Sequence, residues 1–174
     1  MLIIFSGLPG TGKSTVARRV AERLQGVWLR IDTIEQAIRS AGEQSSPMGP
    51  EGYFVAYGIA RDNLRLGLTV VADSVNPLML TRDAFRDIAV TLDKPLLEVE
   101  IICADRQQHQ FRVESRVAEI SGHRLPDWQQ VLNHDYQAWQ REPFRLDSSL
   151  LSAAECAEAI VAAALRILND TPGK

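Results

Sequence analysis

Short apolar runs alternate along this chain with longer stretches whose apolar residues recur at helical spacing. Five runs predict β-strands, at residues 2–5, 27–31, 68–72, 96–103 and 143–146, and Asp32, Asp73 and Asp147 follow three of them. Short apolar runs separated by helices are typical of buried parallel strands. The pattern therefore predicts a three-layer α/β/α fold, in which helices cover both faces of a parallel sheet.

The stretches between these runs predict the helices. Val16, Val20 and Leu24 recur at four-residue spacing, and similar stripes mark residues 33–40, 53–66, 81–92 and 153–168. A further short helix is predicted to begin at Trp128. Residues 41–52 and 121–127 contain Gly, Ser and Pro and predict loops, while residues 169–174 predict a frayed tail.

Composition places the chain among ordinary globular proteins. Its 174 residues are 45% hydrophobic and 24% charged, which suits one domain with a substantial core. A net charge of −3 disfavours general electrostatic binding of nucleic acid. No apolar stretch reaches the roughly 20 residues that span a membrane, and the N-terminus lacks the basic segment of a signal peptide. We therefore expect a cytoplasmic monomer or homodimer, with Cys103 and Cys156 as reduced core residues.

The most specific motif lies between the first predicted strand and the first predicted helix. Residues 7–14 read Gly-Leu-Pro-Gly-Thr-Gly-Lys-Ser, a complete G-x-x-x-x-G-K-[ST] phosphate loop. Its glycines can adopt positive φ, so that backbone N–H groups close around phosphate oxygens. Lys13 is expected to reach the β- and γ-phosphates, and the Ser14 hydroxyl to ligate Mg²⁺. The candidate nucleotide-binding residues are Gly7, Leu8, Pro9, Gly10, Thr11, Gly12, Lys13, Ser14 and Thr15.

Two aspartates are predicted at the ends of neighbouring strands. Asp73 is similar to a Walker B carboxylate that holds Mg²⁺, although a turn or cap is the alternative. Asp32 either orients and deprotonates the acceptor or caps the following helix, and which aspartate is the base stays open. Ser74 stands where a mechanical ATPase usually has a water-activating Glu, which favours transfer over hydrolysis. Asn76 either binds the acceptor or starts the turn before Pro77.

Residues of about 105–125 predict an arginine-bearing lid. Arg112 and Arg116 lie four residues apart on one helical face, from which they can close over a triphosphate and neutralise transition-state charge. Arg106 is a further nucleotide-binding candidate that can stack near the base. The alternative is a solvated helix face, on which Glu114 and Glu119 balance the arginines.

The other histidines and aromatic residues carry less information. His109, His123 and His134 are not spaced like the ligands of a metal site. Trp128, Tyr136 and Trp139 are expected to pack in the core around the short helix beyond the lid. Neither set adds to the predicted site.

The phosphate loop, the two aspartates and the lid arginines together resemble the P-loop small-molecule kinases of the nucleoside-monophosphate-kinase-like superfamily. The chain is similar over most of its length to the group that holds chloramphenicol phosphotransferase, gluconate kinase, shikimate kinase and the zeta-toxin kinases. The resemblance implies a five-stranded parallel sheet in the order 2-3-1-4-5, ATP as the donor, Mg²⁺ as the cofactor and Asp32 as the acceptor-side carboxylate. Ile34 departs from the Asp-x-Asp of shikimate kinases, and no Asn-Lys-x-Asp guanine motif is present, which disfavours a GTPase.

Three hypotheses of function follow from these residues. The first is ATP-dependent transfer of the γ-phosphate to a hydroxyl of an unidentified small molecule. The second is a regulatory nucleotide-binding ATPase module, and the third, disfavoured by the acidic composition, is a polynucleotide kinase. In the first, the catalytic residues are Lys13, Asp32, Arg112 and Arg116, the acceptor-binding residues Asp32 and Asn76, and the metal ligands Ser14 and Asp73.

Overall fold

The computed structural model describes residues 1–42 and 49–170. Strands and helices alternate along them, in the order β1 (Leu2–Ser6), α1 (Lys13–Leu24), β2 (Val27–Arg30), α2 (Ile31–Ala41), α3 (Glu51–Arg65), β3 (Val70–Asp73), α4 (Met79–Thr91), β4 (Leu96–Ile102), α5 (Arg106–Ser115), α6 (Trp128–Leu132), β5 (Phe144–Asp147) and α7 (Ala153–Asp170). All five predicted strands are present. The predicted helices are present as well, including α6, which begins at Trp128 as expected.

The sheet has five parallel strands in the order β2-β3-β1-β4-β5. This confirms the predicted fold class and strand order. β3 lies between β1 and β2, in a register that pairs Asp73 with Phe5 on one side and with Arg30 on the other. Because the strands are parallel, the carboxyl ends of β1, β2 and β3 meet at one edge of the sheet, where ligands bind in folds of this kind.

Helices cover both faces of the sheet. Ile3 and Phe5 of β1 point into a core shared with α1 and α7, while Leu2 and Ile4 point into a second core shared with α3 and α4. Successive side chains of a strand face opposite sides of the sheet. A strand that is buried on both faces therefore consists of consecutive apolar residues. This is why the short apolar runs located the strands.

The junction of β2 and α2 differs from the prediction. β2 ends at Arg30, and α2 begins at Ile31, so Asp32 lies in the first helical turn and does not end a strand. The N-cap residue is Arg30, which makes the predicted capping role of Asp32 wrong. Ile31 is fully buried although it is helical, and a buried first-turn residue continues an apolar run in the same way as a strand residue.

Smaller differences concern the ends of other elements. β3 begins later than predicted and includes Asp73, β4 ends at Ile102, and β5 comprises Phe144–Asp147. Parts of the predicted loop 41–52 and of the predicted tail are helical, since α2 ends at Ala41, α3 begins at Glu51 and α7 ends at Asp170. Residues 43–48 of that loop and residues 171–174 of that tail lie outside the described residues.

Two of the three aromatic residues expected around α6 pack elsewhere. The rings of Tyr136 and Trp139 lie against the guanidinium of Arg82 on α4, at 4.8 Å and 4.2 Å from its central carbon. Arg82 is fully buried and donates to the backbone carbonyls of Asn76 and Pro77. The two rings therefore shield a buried cation that holds the turn after β3.

The remaining expectations concern the cysteines and the membrane. Cys103 and Cys156 are both buried and unpaired, as predicted. Within residues 1–42 and 49–170, none of the helices has the length and apolar character needed to span a lipid bilayer.

Candidate active site

The phosphate loop connects β1 to α1 through three glycines with positive φ. Gly7, Gly10 and Gly12 have φ values of 143°, 88° and 85°, which side-chain-bearing residues rarely adopt. A Cβ on Gly7 would collide with the carbonyl oxygen of Ile101 in β4, so this position lacks room as well as conformational freedom. Lys13 is the first residue of α1 and is almost fully buried, and the helix N-terminus therefore faces the loop.

Helix α5 packs directly against the phosphate loop. The Nε2–H of His109 donates to the carbonyl of Pro9 at 2.9 Å, and the buried ring packs edge-on against Trp128 of α6 at 5.1 Å. A Cβ on Gly10 would collide with Val113 of the same helix. Helix α5 therefore supports the phosphate loop from outside, a role that sequence reasoning missed because the contact joins residues 100 positions apart.

Asp73 lies beneath the start of α1 at the end of β3. Its carboxylate accepts from the Ser14 hydroxyl at 3.1 Å and from the indole N–H of Trp28 at 3.2 Å. The Nε atom of Arg30 is 4.0 Å from the same carboxylate. A serine hydroxyl beside a carboxylate is a hard oxygen pair, which fits the preference of Mg²⁺ for oxygen ligands. These two residues are the candidate metal ligands.

The electrostatic environment of Asp73 also fits a cation. Burial raises the pKa of this carboxyl, while the charge of Lys13 and the hydrogen bond from Ser14 act in the opposite direction. A fully buried carboxylate is costly unless positive charge compensates it. A metal ion bound between Ser14 and Asp73 would supply that charge.

A cavity of about 560 Å³ opens above the loop and contains both halves of the predicted site. Asp32 lines it together with Lys13, Ser14 and Thr15 of the loop and α1. The Asp32 carboxylate makes no hydrogen bond or ion pair with the described part of the chain, so both of its oxygens remain available to a ligand. Among the other loop residues, Pro9, Gly10 and Gly12 line the cavity, whereas Gly7, Leu8 and Thr11 do not.

The lid arginines occupy different environments. Arg112 and Arg116 both line the cavity, but Arg112 is held by Ser148, to whose hydroxyl and carbonyl it donates at 2.9 Å each. Arg116 has two guanidinium nitrogens, Nε and Nη2, that are buried without a partner in the described residues. Burial lowers the pKa of Arg116, and the charge of Asp32 opposes that effect. Arg106 is exposed at the start of α5 and does not line the cavity.

Asn76 lies behind the cavity, in the turn after β3. Its side chain is fully buried, and neither amide atom has a partner in the described residues. Its φ is 47°, its N–H donates to the Tyr53 hydroxyl at 3.1 Å, and its carbonyl accepts from Arg82. The backbone of Asn76 thus forms a turn, and its side chain does not reach the cavity.

Sequence reasoning missed several residues around the cavity besides His109. Arg30 and Glu119 both line it and form an ion pair of 2.9 Å between β2 and the lid. His123 lines it too, and burial lowers its pKa, aided by neighbouring arginines and opposed by Asp32. The only signal in the sequence was the position of Arg30 at a strand end, since Glu119 and His123 come from an irregular segment.

The chain is similar to one known protein family and to several solved structures. The model of a family described as AAA domain, AAA_33, matches residues 2–135. Similar solved structures include a gluconokinase from Sinorhizobium meliloti 1021, with 21% identity and a TM-score of 0.66 over 97% of this chain and 93% of the other. Mycobacterium tuberculosis APS kinase CysC in complex with AMPPNP and APS has 18% identity and a TM-score of 0.67, over 97% of both chains.

A third similar structure is Chaetomium thermophilum Kti12 in complex with ADP-AlF3, with 17% identity and a TM-score of 0.71 over 96% of this chain and 98% of the other. No curated protein matches the sequence. At these identities the structural likeness establishes the fold, while the family match covers well over half of the chain. The chain therefore belongs to the AAA_33 family of AAA domains, and its fold is that of the P-loop kinases.

Proposed function

We propose that this protein transfers the γ-phosphate of ATP to a hydroxyl group of a small molecule. The observation that carries the proposal is the shared cavity of Lys13 and Asp32. One wall carries a phosphate loop, and another carries a carboxylate without a hydrogen-bond partner in the described residues. Phosphoryl transfer needs both a cradle for the donor and a group that accepts the proton of the acceptor.

The donor side follows from the loop and its surroundings. The backbone N–H groups of residues 7–14 and the N-terminus of α1 would bind the triphosphate, with Lys13 against its β- and γ-phosphates. Ser14 and Asp73 would hold Mg²⁺, which neutralises phosphate charge when it is bound. Arg116 has two buried guanidinium nitrogens without a partner in the described residues, lines the cavity and would neutralise the charge that develops on the transferred group.

The acceptor side depends on Asp32. Its carboxylate would accept a hydrogen bond from the acceptor hydroxyl and take up the proton as the reaction proceeds. The acceptor oxygen then forms its bond to the γ-phosphorus, while the bond from that phosphorus to the β–γ bridging oxygen breaks and ADP leaves. We assign the base to Asp32 and the metal to Asp73, because only Asp32 lines the cavity and only Asp73 contacts Ser14.

A regulatory ATPase module is the second candidate. In its support, the solved structure of Kti12, which has a similar fold, contains ADP-AlF3 and names no acceptor. Such a module would hydrolyse ATP slowly without an acceptor and would be stimulated by a macromolecule. Ser74 after Asp73, in place of a water-activating Glu, argues against efficient hydrolysis.

The test is a metabolite-library screen for ATP-dependent mass gain of one phosphate, with K13A as the matched control. We expect one class of hydroxyl compound to gain phosphate with wild-type protein and none to gain it with folded K13A. Transfer that survives in K13A would contradict the assignment of the donor site. ADP release stimulated only by a macromolecule would favour the module, and phosphorylation of an oligonucleotide 5′ end would favour a polynucleotide kinase.

A further inference from the structure

We propose that Arg30 binds an oxyanion group of the acceptor, so that the substrate is a hydroxyl compound bearing a carboxylate or a phosphate. This inference rests on the proposed function, because it concerns the acceptor half of the same cavity. Arg30 ends β2, lines the cavity and precedes Asp32 by two residues. An anionic group held by Arg30 would place a neighbouring hydroxyl near the Asp32 carboxylate.

The hydrogen bonding of Arg30 is incomplete. The only hydrogen bond of its side chain to a described residue runs from Nη1 to the Glu119 carboxylate at 2.9 Å, although a guanidinium has five N–H donors. Its Nε atom is buried, has no hydrogen-bond partner among residues 1–42 and 49–170, and lies 4.0 Å from Asp73. A planar guanidinium with free donors is suited to bidentate recognition of a carboxylate or phosphate.

The burial of the two partners is unequal. The Arg30 side chain is 16% exposed, and its guanidinium lies 5.5 Å from the centre of the Trp28 ring, whereas the Glu119 side chain is 64% exposed. An ion pair with so exposed a partner contributes little free energy. The Glu119 carboxylate therefore competes only weakly with an acceptor oxyanion for Arg30.

The charge of the cavity agrees with an anionic acceptor. Its lining includes five cationic side chains, Lys13, Arg30, Arg112, Arg116 and Arg124, and two carboxylates, Asp32 and Glu119. The cavity lining therefore carries an excess of positive charge, although the whole chain has a net charge of −3. Lys13 and Arg116 are assigned to the triphosphate, and Arg112 is held by Ser148. Arg30 and Arg124 remain for the acceptor, and Arg30 is the less exposed of the two.

A structural role is the alternative for Arg30. Its proximity to Asp73 could serve only to compensate the buried carboxylate of the metal site. That role predicts an effect of Arg30 on the Mg²⁺ requirement, whereas acceptor binding predicts an effect on the KM for the acceptor. The two roles are therefore separable by kinetics.

The first experiment divides the metabolite library into neutral and anionic hydroxyl compounds, with matched sets such as glycerol, D-glycerate and glycerol 3-phosphate. We expect transfer to anionic members at a kcat/KM at least about tenfold above that of their neutral counterparts, as one charge-assisted hydrogen bond provides. Preference for the carboxylate or for the phosphate member identifies the source of the oxyanion. Equal transfer to neutral members overturns this inference but leaves the kinase standing. Absence of transfer to every compound contradicts the proposed function itself.

The second experiment compares variants on the best anionic acceptor. We expect R30M to raise the KM for that acceptor about 10- to 150-fold, which corresponds to the loss of hydrogen bonds to a charged group. E119Q, which removes the competing carboxylate at an exposed position, should lower that KM by up to about fivefold. E114Q carries the same change on α5 without a contact to Arg30 and should leave the KM unchanged.

The contrary outcomes are equally specific. An R30M enzyme with a normal acceptor KM but a raised Mg²⁺ requirement would show that Arg30 serves Asp73, and it would overturn the proposal. An increase in acceptor KM for E119Q would overturn it too, because the ion pair itself would then be the functional unit. Since Glu119 is exposed, E119Q keeps the question decidable even if R30M folds poorly.

Discussion

At the scale of single residues, Asp73 shows how position determines chemistry. It is fully buried, contacts Ser14 and Trp28, and lies near Arg30. All three of these residues are distant from Asp73 in the sequence. Burial raises its pKa, so protons compete with a bound metal at higher pH than they would for an exposed aspartate. The metal site proposed at Ser14 and Asp73 is therefore expected to be sensitive to pH.

We predict that the Mg²⁺ concentration for half-maximal transfer rises as the pH is lowered, in activation curves measured from about pH 8 to about pH 5. D73N should reduce transfer at least about 100-fold, since a metal contributes several kcal/mol to transition-state stabilisation. The pKa of Asp73 is higher in the folded than in the unfolded protein, so the ionised carboxylate destabilises the fold above that pKa. We therefore expect that D73N does not lower the thermal midpoint when EDTA removes the metal.

The matched control for this prediction is D62N. Asp62 lies exposed on α3 with only a 3.6 Å ion pair to Arg65, and its replacement should change neither the transfer rate nor the Mg²⁺ requirement. A D73N enzyme with normal Mg²⁺ activation would show that the metal is held elsewhere. A half-saturating Mg²⁺ concentration independent of pH in the wild type would contradict the role given to the raised pKa.

Local sequence identified some residues of the candidate site and not others. Lys13 and Ser14 were identified because all the residues of a phosphate loop are neighbours in the chain, so the motif and its mechanism are local. Arg30 and Glu119 were not identified as a pair, because nothing in either local sequence indicates a partner 89 positions away. For Asn76 the sequence leaves acceptor binding and a turn equally open; its backbone forms the turn, and its fully buried side chain is not part of the cavity lining.

At the scale of elements, α5 both contributes to the cavity lining and packs against the phosphate loop. Its last turn carries Arg112 towards the cavity, and Arg116 follows directly, while its inner face places His109 and Val113 against the phosphate loop. The prediction that Arg112 and Arg116 share one helical face is wrong, because α5 ends at Ser115 and Arg116 has extended backbone, although both side chains line the cavity. The support of the phosphate loop depends on the packing of α5 against a loop that is distant in sequence.

We predict that H109A raises the KM for ATP more than the KM for the acceptor, because it leaves the Pro9 carbonyl without its donor. The lost hydrogen bond should also lower the free energy of unfolding by roughly 1–3 kcal/mol. ATP kinetics and urea denaturation measure the two effects. H109Q, which keeps an N–H donor, should restore much of the ATP KM, and a failure of that rescue would point to ring packing against Trp128 as the cause.

The start of α2 is the element whose prediction failed. Asp32 was expected at a strand end or as an N-cap, and it lies instead in the first turn of a helix capped by Arg30. An apolar residue such as Ile31 is buried equally well in either conformation, so the periodicity of the sequence does not locate the boundary. Asp32 nevertheless faces the cavity because the helix begins directly at the edge of the sheet.

At the scale of the whole molecule, the nucleotide site connects elements that are far apart in the chain. The phosphate loop, α2, α5 and the irregular segment after it all line one cavity. A ligand that binds only the folded protein stabilises all of these elements together, by about 2.7 kcal/mol at 100 times its Kd. Binding should therefore be visible as a shift of global unfolding.

We predict that AMP-PNP with Mg²⁺, at about 100 times its Kd, raises the thermal midpoint by roughly 5–10 °C for a domain of this size. K13A should show little of this shift, although its own midpoint without nucleotide should be close to that of the wild type. Differential scanning fluorimetry provides the measurement. An equal shift in K13A would place the nucleotide outside the phosphate loop, independently of any acceptor.

The sequence by itself determined the alternation of strands and helices, the phosphate loop and the two aspartates, because each depends on residues that are neighbours in the chain. Its resemblance to P-loop kinases also implied the strand order that the sheet adopts. Only the tertiary structure decided which aspartate faces the cavity and which lies beneath Ser14, and it alone paired Arg30 with Glu119 and His109 with Pro9. These contacts join residues that are far apart in sequence, and packing of side chains across elements, not local periodicity, determines them.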